Sequence, residues 1–265
     1  MPRKIAVLFC ALLYAAPALG QEYDCLIEAR QKVEVRSPVE AVIETIRVNR
    51  GDYVRKGDVL VTLESGAEKA ALELARSRAS MQGEINAAQA RLQLARKKWE
   101  QAQELYEQKF VSATSRDEAV ADYRLASEQL RQAKENQILA QLEVKRTAEI
   151  LALRTIRSPL DGVVVQKVLS PGDLATSNLK DPILKLVQIN PLNVEVVLPV
   201  SAFGRIKPGA KATVFPEAPI GGKYRATVKI VDRVVDAASG TFGVRLELPN
   251  RQGRIPPGIK CRVSF

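Results

Sequence analysis

Two stretches of the chain, 121 residues apart, carry the same pattern, and a long helical periodicity fills the interval between them. Ser37-Pro38-Val39-Glu40-Ala41-Val42-Ile43 opens a run that ends in Gly51-Asp52, and Ser158-Pro159-Leu160-Asp161-Gly162-Val163-Val164 opens one that ends in Gly172-Asp173. Positions 37–52 align with 158–173 without a gap. Five of the sixteen pairs are identical and six more are close replacements, such as Glu40 with Asp161 and Ile43 with Val164. A second correspondence follows, Val59-Leu60 after Lys56-Gly57-Asp58 against Ile183-Leu184 after Lys180-Asp181-Pro182. Opening prolines, β-branched runs and closing Gly-Asp pairs give both stretches the character of strands and turns. An interrupted repeat of this kind predicts one small β domain made of two half-motifs, with something inserted between them.

The insertion has a different period. Alternating steps of three and four give Ala71, Leu74, Arg78, Met81, Ile85, Ala88, Leu92, Ala95, Trp99, Ala102 and Tyr106, ten of eleven apolar. A second series runs Ala119, Tyr123, Ala126, Leu130, Ala133, Gln137, Ala140, Val144, Thr147 and Leu151, eight of ten apolar. Heptads sustained over this length specify a coiled coil. Ser115, with Glu118 three residues on, offers a capping box. The first helix is therefore expected to end near Gln108 and the second to begin near Ser115, and so short a link makes the two antiparallel. About 40 residues per helix give a rod of roughly 60 Å. After Asn190, short apolar runs at 193–198, 211–215, 224–232, 241–248 and 259–265 alternate with Pro/Gly turns and a helix-like 201–206, the pattern of a small antiparallel barrel.

Residues 1–20 stand apart. Arg3 and Lys4 precede an apolar run over 5–16, and Ala18-Leu19-Gly20 places small residues before Gln21, the form of a secretory signal. Without it the chain holds 38 basic and 30 acidic side chains, a net +8, and the excess lies in 152–265, with 17 basic against 8 acidic. That bias suits an anionic lipid surface or an acidic partner. Nucleic acid is not an expected partner, because aromatics are only 5% and no basic-aromatic motif appears. Cys25 and Cys261 are left as an even pair that either bridges or stays as two buried thiols. The chain has no histidine, which removes catalytic triads and most transition-metal sites. The carboxylate pairs Asp117/Glu118 and Glu104/Glu107 fall on helix ends and outer faces, where solvation accounts for them. No P-loop or dinucleotide fingerprint is present. The expectation is a non-enzyme without cofactor or metal.

The run Gly51-Asp52-Tyr53-Val54-Arg55-Lys56-Gly57-Asp58-Val59-Leu60 resembles the biotinyl/lipoyl-domain family, whose carriers present a modified lysine on a tight strand turn. Lys69 is the nearest lysine, but it stands two residues late and a helix follows it, so the carrier alternative fails on its context. A lipoyl-type domain split by a helical hairpin and followed by a β-barrel resembles the periplasmic adaptors, or membrane fusion proteins, of bacterial tripartite efflux pumps. The resemblance implies an α+β fold, modular and elongated: an antiparallel α-helical coiled-coil hairpin inserted into a split lipoyl-like β domain, followed by a small antiparallel β-barrel. The expected organisation is a signal peptide at 1–20, an N-terminal strand segment at 21–36, lipoyl-like halves at 37–66 and 152–189, the hairpin at 67–151 and the barrel at 190–265.

By the same resemblance the hairpin tip meets a TolC-like outer-membrane channel. The family's tip pattern is an arginine, a leucine four positions on and a serine seven beyond. Leu105 and Ser112 match it, Phe110 and Val111 fill the turn, and Gln101 replaces the arginine, with Lys97 and Lys98 one turn upstream. Gly51, Asp52, Gly172 and Asp173 mark the lipoyl-half turns. The family's further membrane-proximal domain is expected to be absent or reduced to a strand or two, which a Cys25–Cys261 bridge would tie together. The implied partners are an inner-membrane transporter of the resistance-nodulation-division type, the outer-membrane channel and further copies of the chain in a ring of three to six. The implied location is the periplasm, with peripheral inner-membrane association. An ATP-driven exporter or type I secretion partner is the near alternative, and a free-standing coiled-coil interaction protein a more distant one.

Overall fold

The computed structural model describes residues 22–176 and 182–265. The expected signal at 1–20, and Lys180-Asp181 of the second repeat match, lie outside the described residues. Four strands lead into the insertion: β1 (Glu22–Val35), β2 (Ala41–Ile46), β3 (Tyr53–Val54) and β4 (Val59–Leu63). Helices α1 (Gly66–Ser80), α2 (Gly83–Glu107) and α3 (Ala113–Ala152) follow. Then come β5 (Thr155–Arg157), β6 (Gly162–Lys167), β7 (Leu174–Ala175) and β8 (Leu184–Pro199). The last strands are β9 (Lys211–Pro216), β10 (Tyr224–Val231), β11 (Thr241–Leu248) and β12 (Ile259–Ser264). The chain divides into two compact units. One holds Glu34–Pro159 and Gln166–Lys185; the other holds the segment up to Val33, Leu160–Val165 and Leu186–Phe265.

In the first unit a four-stranded sheet runs β5-β4-β2-β7. β2 comes from the first repeat and β7 from the second, paired through Ala41 with Ala175 and Val42 with Leu174, so the two half-motifs interleave. Ile43, Leu60, Val61, Leu63 and Leu184 are fully buried, which is what the apolar positions of both halves are for. The Gly-Asp pairs have a shared local cause. In Asn49-Arg50-Gly51-Asp52, Arg55-Lys56-Gly57-Asp58 and Ser170-Pro171-Gly172-Asp173, the glycines take φ of 96°, 94° and 94°. The aspartate N–H donates to the first residue's carbonyl at 3.1, 3.0 and 3.1 Å. Its carboxylate accepts that residue's N–H at 2.7, 2.8 and 2.7 Å. Only glycine tolerates that φ cheaply, and the aspartate closes the turn from the other side.

The helices emerge from adjacent strands. β4 and β5 are antiparallel neighbours, with Thr62 opposite Thr155, and the Leu63 N–H donates to the Arg154 carbonyl at 2.8 Å. The hairpin thus stands where a two-stranded sheet would have its turn. At this base the Arg154 guanidinium pairs with Glu68, both largely buried, which ties the start of α1 to the residue that follows α3. Lys69 lies in the first helical turn, its N–H bonded to the Ser65 carbonyl at 3.0 Å, and no strand turn presents it.

The second expected stripe holds along the whole of α3. All ten of its positions are buried or half-buried, with Ala126, Ala133 and Thr147 deepest. The first stripe holds only in α2, over Ile85, Ala88, Leu92, Ala95, Trp99, Ala102 and Tyr106. In α1 the covered positions are Glu68, Leu72, Ala75 and Ala79, while Ala71, Leu74, Arg78 and Met81 face solvent. The expected single helix is two, broken where Met81 turns extended (ψ 121°). Continuing the α1 seam unbroken would bring Gln82, Asn86 and Gln89 against α3. The break shifts the phase by one residue and puts Ile85 and Ala88 there instead, and Gly83 lowers the cost of starting anew.

The second unit holds a closed barrel of order β1-β12-β9-β10-β11-β8, sealed by the pairing of β1 with β8. β8 and β11 set Leu192, Val194, Val196 and Leu198 opposite Leu248, Leu246, Val244 and Phe242, all facing the core. Ile27, Val214, Val228 and Val263 complete it. The barrel is therefore not a product of the C-terminal region alone. β1 supplies a wall, with Cys25 directly opposite Cys261 on β12, and their Sγ atoms are joined at 2.10 Å. The helix-like 201–206 is a single 3-10 turn at Val200–Ala202. Among the described residues no helix is long and apolar enough to cross a membrane, and no cluster of three or more His, Cys, Asp or Glu side chains could hold a metal ion.

Candidate docking site at the hairpin tip

The tip is five residues, Gln108–Ser112, and its shape follows from how each helix is closed. α2 ends in a Schellman arrangement: the Lys109 N–H donates to the Tyr106 carbonyl at 2.9 Å and the Phe110 N–H to the Leu105 carbonyl at 2.8 Å. That geometry puts Lys109 at φ 61°, a left-handed position without glycine. α3 starts at Ala113, not after Ser115. Ser112 is the cap, its hydroxyl oxygen accepting the Ser115 N–H at 3.2 Å. Capping three residues earlier adds most of a helical turn, and Ala113-Thr114 offers no obstacle to it.

These closures push the apolar tip side chains outward. Phe110 is 75% exposed and Leu105 41%, and Val111 is half-buried. An ordinary seam position would explain Leu105, but the seam here runs through Trp99, Ala102 and Tyr106, and Leu105 lies beside it. Gln101 stands one turn behind Leu105 on the same outward face, exposed, as are Lys97 and Lys98. Of the four expected tip residues, the structure brings Leu105, Phe110 and Val111 to one apex. It commits the Ser112 oxygen to the cap.

One feature of the apex is not legible in the sequence. The Arg116 guanidinium lies 4.5 Å from the centre of the Tyr106 ring, stacking the first turn of α3 on the last turn of α2. Asp117, hydrogen-bonded to the same guanidinium at 2.6 Å, holds it protonated above its already high ordinary value. Behind it Trp99 and Tyr123 stack at 5.2 Å across the seam. The apex is thus a small apolar knob on an aromatic-braced end. Its exposed side chains offer apolar contact area at the end of the helices.

A hairpin spliced into a sandwich of interleaved half-motifs, together with a closed six-stranded barrel, defines the fold of the membrane fusion proteins. Residues 31–180 match the family described as CzcB-like, barrel-sandwich hybrid domain, and residues 192–265 match the CusB-like, beta-barrel domain. The chain belongs to this family of periplasmic adaptor proteins. It is 27% identical over 223 residues to the cobalt-zinc-cadmium resistance protein CzcB of Cupriavidus metallidurans, covering 84% of this chain and 40% of that protein. It is 26% identical over 238 residues to the multidrug resistance protein MdtE of Escherichia coli, covering 85% and 58%. The chain thus spans about half the length of these curated relatives. Among solved structures, MacA from Actinobacillus actinomycetemcomitans shares the fold, with a TM-score of 0.76 at 22% identity, covering 93% of this chain and 78% of that one.

Proposed function

We propose that this chain is the periplasmic adaptor of a tripartite efflux system, joining an inner-membrane exporter to an outer-membrane channel, with the hairpin apex as the channel contact. The observation that carries the proposal is the exposed pair Leu105 and Phe110, with half-buried Val111 beside Phe110, at the end of a hairpin that has no core of its own to hide them. The relatives support the class of process, since both are named for resistance, one to metal ions and one to drugs. The mechanism is mechanical: a ring of three to six copies presents several apices at once. Each knob is a small contact, and linkage through the ring multiplies weak contacts into lasting engagement. Association with the inner membrane is peripheral, through the transporter, which is of the resistance-nodulation-division type. Ser112 contributes by fixing the turn, and Gln101 replaces a charged contact by a neutral one.

The test is Leu105→Asp and Phe110→Asp, each scored for resistance in cells and for cross-linking to the channel from a photoreactive residue at Val111. Both variants should lose resistance and cross-linking while export and the Trp99 emission of the folded hairpin stay unchanged. Full resistance in both variants would remove the tip from the contact.

A further inference from the structure

The break between α1 and α2 leaves a notch in one flank of the hairpin. Met81 and Ile85 line one side of it and Ala133 and Ala140 of α3 the other, and Gly83 stands at its edge with no side chain to fill it. A Cβ placed on Gly83 would meet nothing within 4 Å. The open volume is about 480 Å³. A cavity of about 150 Å³ takes a benzene-sized group, so the notch has room for two branched aliphatic side chains. Of the charges on its rim, Glu84 accepts the Asn136 amide at 3.5 Å, and Arg78 is within electrostatic reach of Glu143.

The same stretch of α3 carries an apolar ridge on its outer side. Ile138 and Leu142, one turn apart, are both more than half exposed. Relative to the seam through Ala126 and Val144, helical geometry turns Asn136 by about 80° one way and Ile138 and Leu142 by about 120° and 160° the other. The ridge therefore leaves the rod away from the flank that holds the notch. Ion pairs inside α3 border it, since Arg131 donates to Glu135 at 2.7 Å and Arg146 to Glu143 at 2.7 Å. Lys134 and Lys145 are exposed beside it.

Notch and ridge stand at one level of the rod. The α3 wall of the notch spans 133–140 and the ridge 138–142, so their centres are about 5 Å apart along a helix of 40 residues. Two such faces, one hollow and one raised, cannot meet within a single copy because they point to different sides. Between copies they make a head-to-tail contact, and because they are level its repeat closes into a ring instead of climbing as a helix. The occupant that the notch fits is therefore present on the chain itself.

We propose that Ile138 and Leu142 of one copy seat in the notch beside Met81 and Gly83 of the next, so that the break in the first helix is the socket of the contact between copies. The packing is that of a ridge on one helix entering the groove between two others. The proposal rests on the reading that copies of the chain form a ring, and it names the surface that joins them. Its test reads assembly alone. A chain that assembled through the notch yet conferred no resistance would sink the adaptor reading and leave this contact standing.

The experiment is cross-linking of the chain carrying Met81→Cys and Leu142→Cys together, with a short bismaleimide that the bridged Cys25 and Cys261 cannot take up. The double variant should give a ladder rising from the dimer to the ring, and a mixture of the two single variants a dimer and nothing larger. A dimer from either single variant alone would make the contact symmetric and overturn the pairing, and so would the absence of a ladder in concentrated protein. Ile138→Asp with Leu142→Asp, and separately Gly83→Leu to fill the notch, should each weaken assembly on the order of a hundredfold in sedimentation. Far-UV circular dichroism and Trp99 emission should stay unchanged, because all three positions are exposed. Undiminished assembly in either variant would sink the proposal. The parent should stay assembled at about 0.5 M salt, and dissociation there would make the contact one of charge. If the Ile138/Leu142 variant stayed assembled but lost cross-linking to the channel from Val111, the ridge would belong to the channel instead.

Discussion

The hairpin and the barrel hold together by different means. The barrel has a closed core of 18 buried residues, with Ile27, Leu192, Val194, Leu198, Val214, Leu246 and Val263 wholly inaccessible. The three helices, 80 residues in length together, bury fully only Leu72, Ala75, Ala88, Ala126, Ala133 and Thr147, and four of those six are alanine. A long seam of small contacts is a sum of weak local terms, whereas a core is a single jigsaw whose pieces each matter. The lesson is that the hairpin is built for reach and close approach of its helices, and the barrel for stability. The single tryptophan, Trp99, sits in the hairpin, so its emission follows that region alone.

That difference can be broken experimentally, beginning with the barrel. Leu246→Ala leaves a hole in the wholly buried core and should cost about 3 kcal/mol. Amide exchange of β8 and β11 should show the loss while the Trp99 midpoint in denaturant stays put. Equal shifts in both probes would make the two regions one cooperative unit and dissolve the comparison. Cys25→Ser with Cys261→Ser releases a link spanning 236 residues and should lower barrel stability by about 3 kcal/mol. Reductant added to the native protein should reproduce that shift and leave the variant unchanged.

Smaller effects are expected on the hairpin side. Ala133→Leu crowds a seam position that is 3% exposed and should destabilise the hairpin by about 2 kcal/mol, visible in Trp99 emission and in far-UV circular dichroism. A neutral result would mean the seam is loose enough to absorb three extra carbons, contrary to close helix approach. Lys109→Gly relieves the left-handed residue at φ 61° and should stabilise the hairpin by about 1 kcal/mol. Trp99 should again report the gain, with no change in the barrel. If Lys109→Gly destabilised the hairpin instead, the tip would owe its shape to a lysine contact rather than to the Schellman closure.

Much of this was legible before any coordinates. Periods of three and four gave the seam positions of α2 and α3, because helix phase is set by neighbours a few positions away, but not the break that separates α1 from α2 or the start of α3 at Ala113. The Gly-Asp pairs located the turns for the same reason, and Gly57-Asp58 proved a third copy of the turn that closes both half-motifs. At the tip, Phe110 and Val111 were readable as a turn between helices. Ser115, with its capping box, is the better local signal for the cap. Ser112 prevails because starting the helix earlier gains hydrogen bonds that a local pattern does not weigh. The stacking of Arg116 on Tyr106 could not be read at all, since it joins two helices whose mutual rotation is set along their whole length.

The sequence by itself determined most of the elements and the interruption of one β domain by a helical insertion. Tertiary structure decided where those elements meet. The one-residue phase reset between Ser80 and Gly83 is invisible within α1, whose own apolar residues permit more than one stripe, and only the fixed face of α3 selects between them. The barrel's closure joins residues 22–27 to 259–264, and no local signal says that the first strand belongs with the last. Short-range periodicity fixes what each segment becomes, while pairing across more than 200 residues depends on which apolar faces fit together, and that is settled only when the whole core packs.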